Sequence, residues 1–405
     1  MVDAITVFSI VGSIIAVGFL ANLLFKKSGL PSSLFLIIIG IILGPVLGIF
    51  SLQEIDPITP FLTTLTLMMI LFEGGLNMDI HRVISQSFRA AILAVLYIAS
   101  AATFVTLFSH FFLGFGWLEA LMLGPMTAGT SSVVIIPLVS KLDVNKEVEI
   151  TLSLESTITD VLNIVLVLTL LQAYLGGLVD IQQTLTTIIA KFGIGALIGG
   201  LVGVMWIRIL YSLRKEEYTY MLTLGVLIGS YAASETCGGS GPLSALLFGI
   251  VLGNDVEIFE ALRIKLDLGY LRGIKNFVKR TQGELAFLVR AFFFVFLGLI
   301  YSVGAGESAV WLGILIAAAI VSVNLLLRYF AVTISTWRSE MFHHRHFMTL
   351  MCGIGLANAT LSILLYRELS PTSANAYLYP AIATNIIVLT NIITSIAPFV
   401  VKFRR

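Results

Sequence analysis

The chain has 405 residues, of which 58% are hydrophobic and only 12% charged, with a mean hydropathy of +1.01. Soluble domains carry about 25% charged residues, so this composition excludes a soluble enzyme and indicates a polytopic membrane protein. The 24 basic and 23 acidic residues leave a net charge of +1, which identifies no partner; the placement of the charges is what informs.

Apolar runs of about 20 residues, rather than short alternating strands, specify an all-α membrane protein. Hydropathy and breaker residues divide it into about thirteen spans. They lie near 5–25, 32–50, 59–76, 87–113, 117–140, 149–175, 185–210, 218–236, 241–254, 285–302, 308–337, 346–366 and 373–401. Asp3 and the lack of a basic leader make the first run a span rather than a signal peptide. Odd-numbered connectors are basic, with Lys26, Lys27, Arg82, Arg89, Lys141, Lys146, Arg208, Arg214 and Lys215, and the tail carries Lys402, Arg404 and Arg405. Even-numbered ones carry Glu54, Asp56, Asp180, Glu235 and Glu307. That asymmetry puts the N-terminus outside the cell membrane and the C-terminus in the cytoplasm. The connector 255–284 mixes charge with spaced Ile, Leu and Phe, and reads as a cytoplasmic amphipathic helix at the interface. His343, His344 and His346 flank Arg345 in another connector and read as a solvated face, with pH sensing the sharper alternative. Cys237 and Cys352 offer neither a disulfide framework nor metal-type spacing.

An internal echo joins two halves, 5–175 and 218–401, with core helices expected in 87–175 and 308–401. Gly40-Ile41-Ile42-Leu43-Gly44 recurs as Gly249-Ile250-Val251-Leu252-Gly253, and Leu71-Phe72-Glu73-Gly74-Gly75-Leu76 has a weaker counterpart in Val295-Phe296-Leu297-Gly298-Leu299. An odd number of spans separates the copies, so the halves have opposite topology, as in secondary transporters with sites at broken helices.

The chemistry concentrates between Met126 and Asp160. Met126-Thr127-Ala128-Gly129-Thr130-Ser131-Ser132 is a polar run inside an apolar segment bracketed by Pro125 and Pro137, where Gly129 allows unwinding. The bland alternative is a helix merely bent by Ser and Thr bonding back to their own backbone. In the next span Ser156, Asp160 and Asn163 share one face at i, i+4 and i+7, with Thr159 beside them. Carboxylates at bilayer depth cost roughly 2.5–3.5 kcal/mol each on insertion scales and mark transport or relay sites by default. Asp160 reads as a carboxylate for which a proton and a monovalent cation compete, so that each expels the other. Its bland alternative is a neutral acid bonding two helices together. Unwound carbonyls and half-helix ends would complete the cation site. Three basic residues lie at apolar depth: Lys191, Arg290 and Arg328. Candidate partners for the arginines are Glu155 and Glu73, and Glu155–Arg290 is expected as a structural pair. No H-E-x-x-H, P-loop or dinucleotide fingerprint occurs, so neither an enzyme nor a nucleotide-driven pump is expected.

Leu71-Phe72-Glu73-Gly74-Gly75-Leu76, the polar break before Pro137, Glu155-Ser156-x-x-Thr159-Asp160, Arg290-Ala291-Phe292-Phe293-Phe294 and Arg328 together resemble NhaP-type sodium/proton antiporters. These belong to the monovalent cation/proton antiporter superfamily, and the resemblance runs nearly the whole chain. It implies the NhaA/NhaP-like fold of inverted repeats with two crossed discontinuous helices, a homodimer, and elevator-type movement of a six-helix core. It also implies a cation site from Asp160, Ser156 and Thr130, with Thr159 and Ser131 beside it and Glu155 contributing through water or a pair to Arg290. The family pattern of Asn-Asp stands here as Thr159-Asp160, and Thr-Asp-Pro as Thr130-Ser131-Ser132; with Ser131 in place of the family's aspartate, the resemblance makes Glu73 the candidate partner of Arg328. One site carboxylate fits electroneutral exchange of Na⁺ or K⁺ for H⁺. The expected surroundings are membrane lipids, with no cofactor beyond the transported ions and no nucleic acid. A K⁺-selective efflux antiporter, an ion channel or a sodium-coupled symporter on the same scaffold are the competing classes.

Overall fold

The computed structural model describes residues 12, 15–16, 18–20, 32–47, 59–78, 88–139, 144–176, 181–213, 219–255, 257–258, 268–299 and 307–402. Most of the first span, and the connectors around Lys26, Glu54, Arg82, Lys141, Asp180 and Lys215, lie outside the described residues. Among the described residues every regular element is a helix. They are α1 (Ser32–Ile41, continued by a π-turn at Ile42–Val46), α2 (Thr59–Asn77), α3 (Phe88–Leu113), α4 (Trp117–Thr127), α5 (Ser132–Val139), α6 (Lys146–Leu175) and α7 (Ile181–Ser212). There follow α8 (Thr219–Thr236), α9 (Gly241–Gly253), α10 (Leu268–Leu299), α11 (Glu307–Ser335), a 3₁₀ turn (Glu340–His344), α12 (Arg345–Leu350), α13 (Leu356–Leu369) and α14 (Leu378–Lys402). Six helices of this set are long and apolar enough to cross a bilayer. Large apolar side chains such as Phe112, Trp311 and Phe330 stand exposed on these helices, as a lipid-facing surface requires. This is a multi-pass membrane protein.

Local sequence sets the helix ends. Ser240 caps α9, its hydroxyl accepting from the Leu243 N–H at 3.4 Å, with Pro242 in the first turn. Glu119 reaches back to the Gly116 N–H at 3.2 Å to open α4. Two expectations change. Helix α10 runs unbroken from Leu268, so the second half of the 255–284 connector is continuous with the span that follows it. And the 346–366 span is two helices, α12 and α13, separated by an unwound stretch at Met351–Gly355.

The chain forms two compact units, each drawn from both sequence halves. The first comprises Met1–Thr63, Ser87–Leu171 and Arg290–Arg405; the second comprises Thr64–Gln86 and Gln172–Val289. Each contains one copy of the glycine echo in a close backbone contact. In the first unit a Cβ on Gly40 would strike the Val295 carbonyl, and one on Gly298 the Ile37 carbonyl. In the second a Cβ on Gly249 would strike the Phe72 carbonyl, and one on Gly75 the Leu246 carbonyl. The 40–44 motif of the first half therefore packs on the 295–299 motif of the second, and the 249–253 motif of the second on the 71–76 motif of the first, the small residues letting backbones approach. The core of the second unit gathers Met69, Phe72, Trp206, Tyr220 and Phe248, and a core of the first gathers Leu93, Tyr97, Ile135, Leu152 and Phe347.

Candidate functional site

Every expected cation ligand lies in the first unit, at a crossing of two broken helices. Helix α4 ends just past Pro125, Ala128 is extended (φ −105°, ψ 174°), and Gly129 has φ +86°. That left-handed backbone favours glycine, and a Cβ there would also lie 2.5 Å from Asn163 Nδ2. The chain then re-enters a helix at Ser132.

Backbone groups unwound at bilayer depth must be satisfied by protein, and here other helices do so. Asn358 Nδ2 of α13 donates to the Met126 carbonyl and, at 3.1 Å, to that of Ala128. Asn324 Nδ2 of α11 donates to the Thr127 carbonyl at 2.9 Å, and Asn163 Nδ2 of α6 to the Ala128 carbonyl at 2.7 Å. The Thr159 hydroxyl accepts from the Thr130 N–H at 3.2 Å and donates toward the Thr130 carbonyl at 2.9 Å. Unwound carbonyls are expected to coordinate the cation; here those of Met126, Thr127 and Thr130 each accept one side-chain donor and that of Ala128 accepts two.

The second break is stitched in the same way by α14. Thr394 Oγ1 accepts from the Cys352 N–H at 3.2 Å, Thr390 Oγ1 from the Ile354 N–H at 3.2 Å, and Asn391 Nδ2 donates to the Ile354 carbonyl at 3.2 Å. The two breaks touch directly, with the Ser131 N–H donating to the Gly353 carbonyl at 2.8 Å. A Cβ at Gly355 would collide with Ser131 Oγ. Beside the crossing lies a cavity of about 10 Å³ lined by residues including Tyr97, Thr127, Asn324, Cys352 and Thr390. It has room for about one water.

Asp160 meets the start of α5. Its Oδ2 accepts from the Ser132 N–H at 3.0 Å and from Ser132 Oγ at 2.7 Å, and the side chain is 7% exposed. A carboxylate there satisfies the first orphan N–H of α5 and faces the positive end of its dipole. Ser156, one turn earlier on the same face, is fully buried and donates to the Ser153 carbonyl at 3.0 Å, the back-bonding arrangement. Thr130 is buried, and its hydroxyl makes no hydrogen bond to the protein. The sequence-predicted residues Asp160, Ser156, Thr159, Thr130 and Ser131 are thus brought to one crossing.

The pairing expected for Glu155 is corrected. Arg328, in α11, donates from Nη1 to Glu155 Oε1 at 3.0 Å and from Nη2 to Oε2 at 3.1 Å, so neither Arg290 nor Glu73 takes the assigned role. The physical reason is position. Arg328 sits where its third donor, Nε, also reaches the Met348 carbonyl in the last turn of α12, at 3.2 Å. Its guanidinium lies 5.1 Å from the Tyr97 ring centroid. One cation thereby serves the negative end of a half-helix and a buried carboxylate together. Arg290 lies in α10 of the first unit and Glu73 in α2 of the second.

Sequence reasoning missed Asn324, Asn358 and Asn391, amides set singly in apolar runs, and it placed Ser132 in the polar run without giving it a role. His346 stacks on Tyr329 with ring centroids 5.5 Å apart, and Arg345 Nε donates to the Tyr329 hydroxyl at 3.2 Å.

Residues 13–403 match the family described as sodium/hydrogen exchanger, transmembrane. The chain is 28% identical over 262 residues to the K(+)/H(+) antiporter NhaP2 of Shewanella oneidensis, covering 62% of this chain and 45% of that relative. It is 27% identical over 358 residues to the probable Na(+)/H(+) antiporter 2 of Methanocaldococcus jannaschii, covering 85% of this chain and 81% of the relative. The structure superposes on that of the sodium proton antiporter MjNhaP1 of Methanocaldococcus jannaschii with a TM-score of 0.76 at 22% identity, covering 97% and 95% of the two chains. This last likeness establishes the fold, and the chain spans about half the length of the NhaP2 relatives that it matches.

Proposed function

Because this chain belongs to the sodium/hydrogen exchanger family, we propose that it is a secondary active antiporter exchanging a monovalent cation for a proton. The observation that carries this reading is the different treatment of two buried carboxylates in α6. Glu155 is locked in a bidentate pair with Arg328, whereas Asp160 is held by a serine and a helix end. The donors that Ser132 presents to Asp160 are neutral, whereas Glu155 has both carboxylate oxygens filled by a guanidinium. Proton and cation then compete for the same carboxylate, so raising the proton concentration raises the cation concentration needed for half-maximal exchange.

Ser156 and Thr130 join Asp160 as ligands in this reading, both through side-chain oxygens that retain lone pairs. Thr159 positions Thr130, Ser131 ties the two breaks together, and Glu155 is structural. One exchangeable charge per cycle makes exchange electroneutral. Na⁺ is the first choice of cargo and K⁺ the second; relatives named for each ion support both. No resident cofactor is needed, since both ions are cargo. The protein works as a homodimer in the cell membrane with its C-terminus in the cytoplasm, and the six-helix core moves by an elevator step.

The test uses purified protein in proteoliposomes with an imposed pH gradient and a pH-sensitive dye. Adding Na⁺ or K⁺ dissipates the gradient, and Asp160→Asn abolishes the response while the protein stays folded. Cation flux without proton counterflow would establish a channel instead, and solute uptake without proton movement a symporter.

A further inference from the structure

We propose that Ser132 is a further cation ligand, which holds the empty carboxylate with its backbone and offers the arriving ion its hydroxyl. This deepens the reading of Asp160 as the exchange site and rests on it. Ser132 makes two different bonds to the same oxygen, Asp160 Oδ2: the N–H at 3.0 Å and Oγ at 2.7 Å. The N–H is fixed in direction by the start of α5 and cannot turn away. It keeps the carboxylate in place whether or not an ion is present.

The hydroxyl is not fixed. It carries one donor and two lone pairs, and rotation about a single bond exchanges one role for the other. Against the carboxylate alone it donates, as a buried carboxylate needs charge-assisted donors. When a cation settles on Oδ2, that donor points at a positive charge, and the hydroxyl turns to present its oxygen. The ion then gains a neutral hard ligand 2.7 Å from the carboxylate oxygen it already contacts, with no backbone movement. Nearby, the Thr130 hydroxyl is buried without a hydrogen bond to the protein, and the Thr159 clamp fixes its backbone two residues before Ser132. The carbonyls of Met126, Thr127 and Ala128 are tied to asparagine amides. Hydroxyls, more than carbonyls, therefore supply the neutral part of this site, and the ion's size is read by Ser132 and Thr130.

The experiment measures the KM and maximal rate of Na⁺- and K⁺-driven gradient dissipation in proteoliposomes for the wild type, Ser132→Ala, Ser132→Cys, Ser132→Thr and Asp160→Asn. Loss of the hydroxyl as a ligand to the bound cation, exceeding the loss of its bond to the carboxylate, predicts a rise of about tenfold in cation KM for Ser132→Ala, with the maximal rate within about twofold. Ser132→Cys keeps the N–H and the side-chain shape but offers a soft sulfur, and shows the same rise even where the alanine variant is lost in purification. Ser132→Thr restores the wild-type KM, and the Na⁺/K⁺ ratio of KM values changes in the alanine and cysteine variants alone. An unchanged KM in both of these variants, with Asp160→Asn inactive, overturns the role of Ser132 and leaves the exchange site standing. Normal exchange by Asp160→Asn overturns the exchange site, and the role of Ser132 with it.

Discussion

Arg328 and Glu155 meet fork to fork, their four terminal atoms pairing at 3.0 and 3.1 Å with both side chains fully buried. Removing one partner strands the other's charge at bilayer depth, which costs roughly 3–5 kcal/mol. Glu155→Gln and Arg328→Gln should each lower the melting temperature in detergent and the yield of monodisperse protein. Arg328→Lys should not rescue, because a point charge cannot span both oxygens and reach Met348 as well. The double variant Glu155→Leu/Arg328→Met should recover most of the stability. If it melts as low as the single variants, the pair is more than a neutralised structural contact.

Gly129→Ala forces a Cβ into a left-handed backbone, at about 1–2 kcal/mol, and against Asn163. Because Asn163 also holds the Ala128 carbonyl, the break should shift as a whole. Exchange should fall by about tenfold or more with a smaller loss of stability, seen by comparing transport with thermal melting.

The asparagine ties should differ in their tolerance of substitution. Asn358→Leu releases the Met126 carbonyl and one of the two donors to Ala128, whereas Asn163→Leu leaves Ala128 still held by Asn358. A buried carbonyl left without a donor costs about 1–3 kcal/mol. Asn358→Leu should therefore be the more destabilising of the two, which thermal unfolding in detergent would check directly.

Thr159→Val keeps shape and loses the hydroxyl that clamps Thr130 on both its N–H and its carbonyl. Exchange should drop while Thr159→Ser remains close to wild type. Equal activity of the valine and serine variants would remove Thr159 from the list of positioning residues.

The legible parts of the site were those set by local spacing. Ser156, Asp160 and Asn163 fall on one face because helical periodicity places them there, and Gly129 between two prolines announced the first break. The second break was hidden because Met351, Cys352, Gly353, Ile354 and Gly355 are as apolar as any helix around them; hydropathy does not distinguish wound from unwound backbone. Only the closely spaced glycines hinted at it. The partner of Glu155 was equally out of reach, since Arg290 and Arg328 look alike in their apolar runs and only tertiary position separates them. Ser132 lay in plain view among three adjacent hydroxyl residues. Which of the three meets Asp160 depends on the residue at which α5 restarts, a boundary that sequence leaves loose by a few positions.

The amide ties across the two breaks limit how this protein can move. Sliding one broken segment past another would strip carbonyls of their donors in a medium that has none to lend. Asn163, Asn324 and Asn358 bind the first break to α6, α11 and α13, so that these pieces are tied into one block around the proposed cation site. In the proposed exchange cycle, opening that site to one side of the bilayer and then the other would be done by carrying the block, with its internal knots still tied.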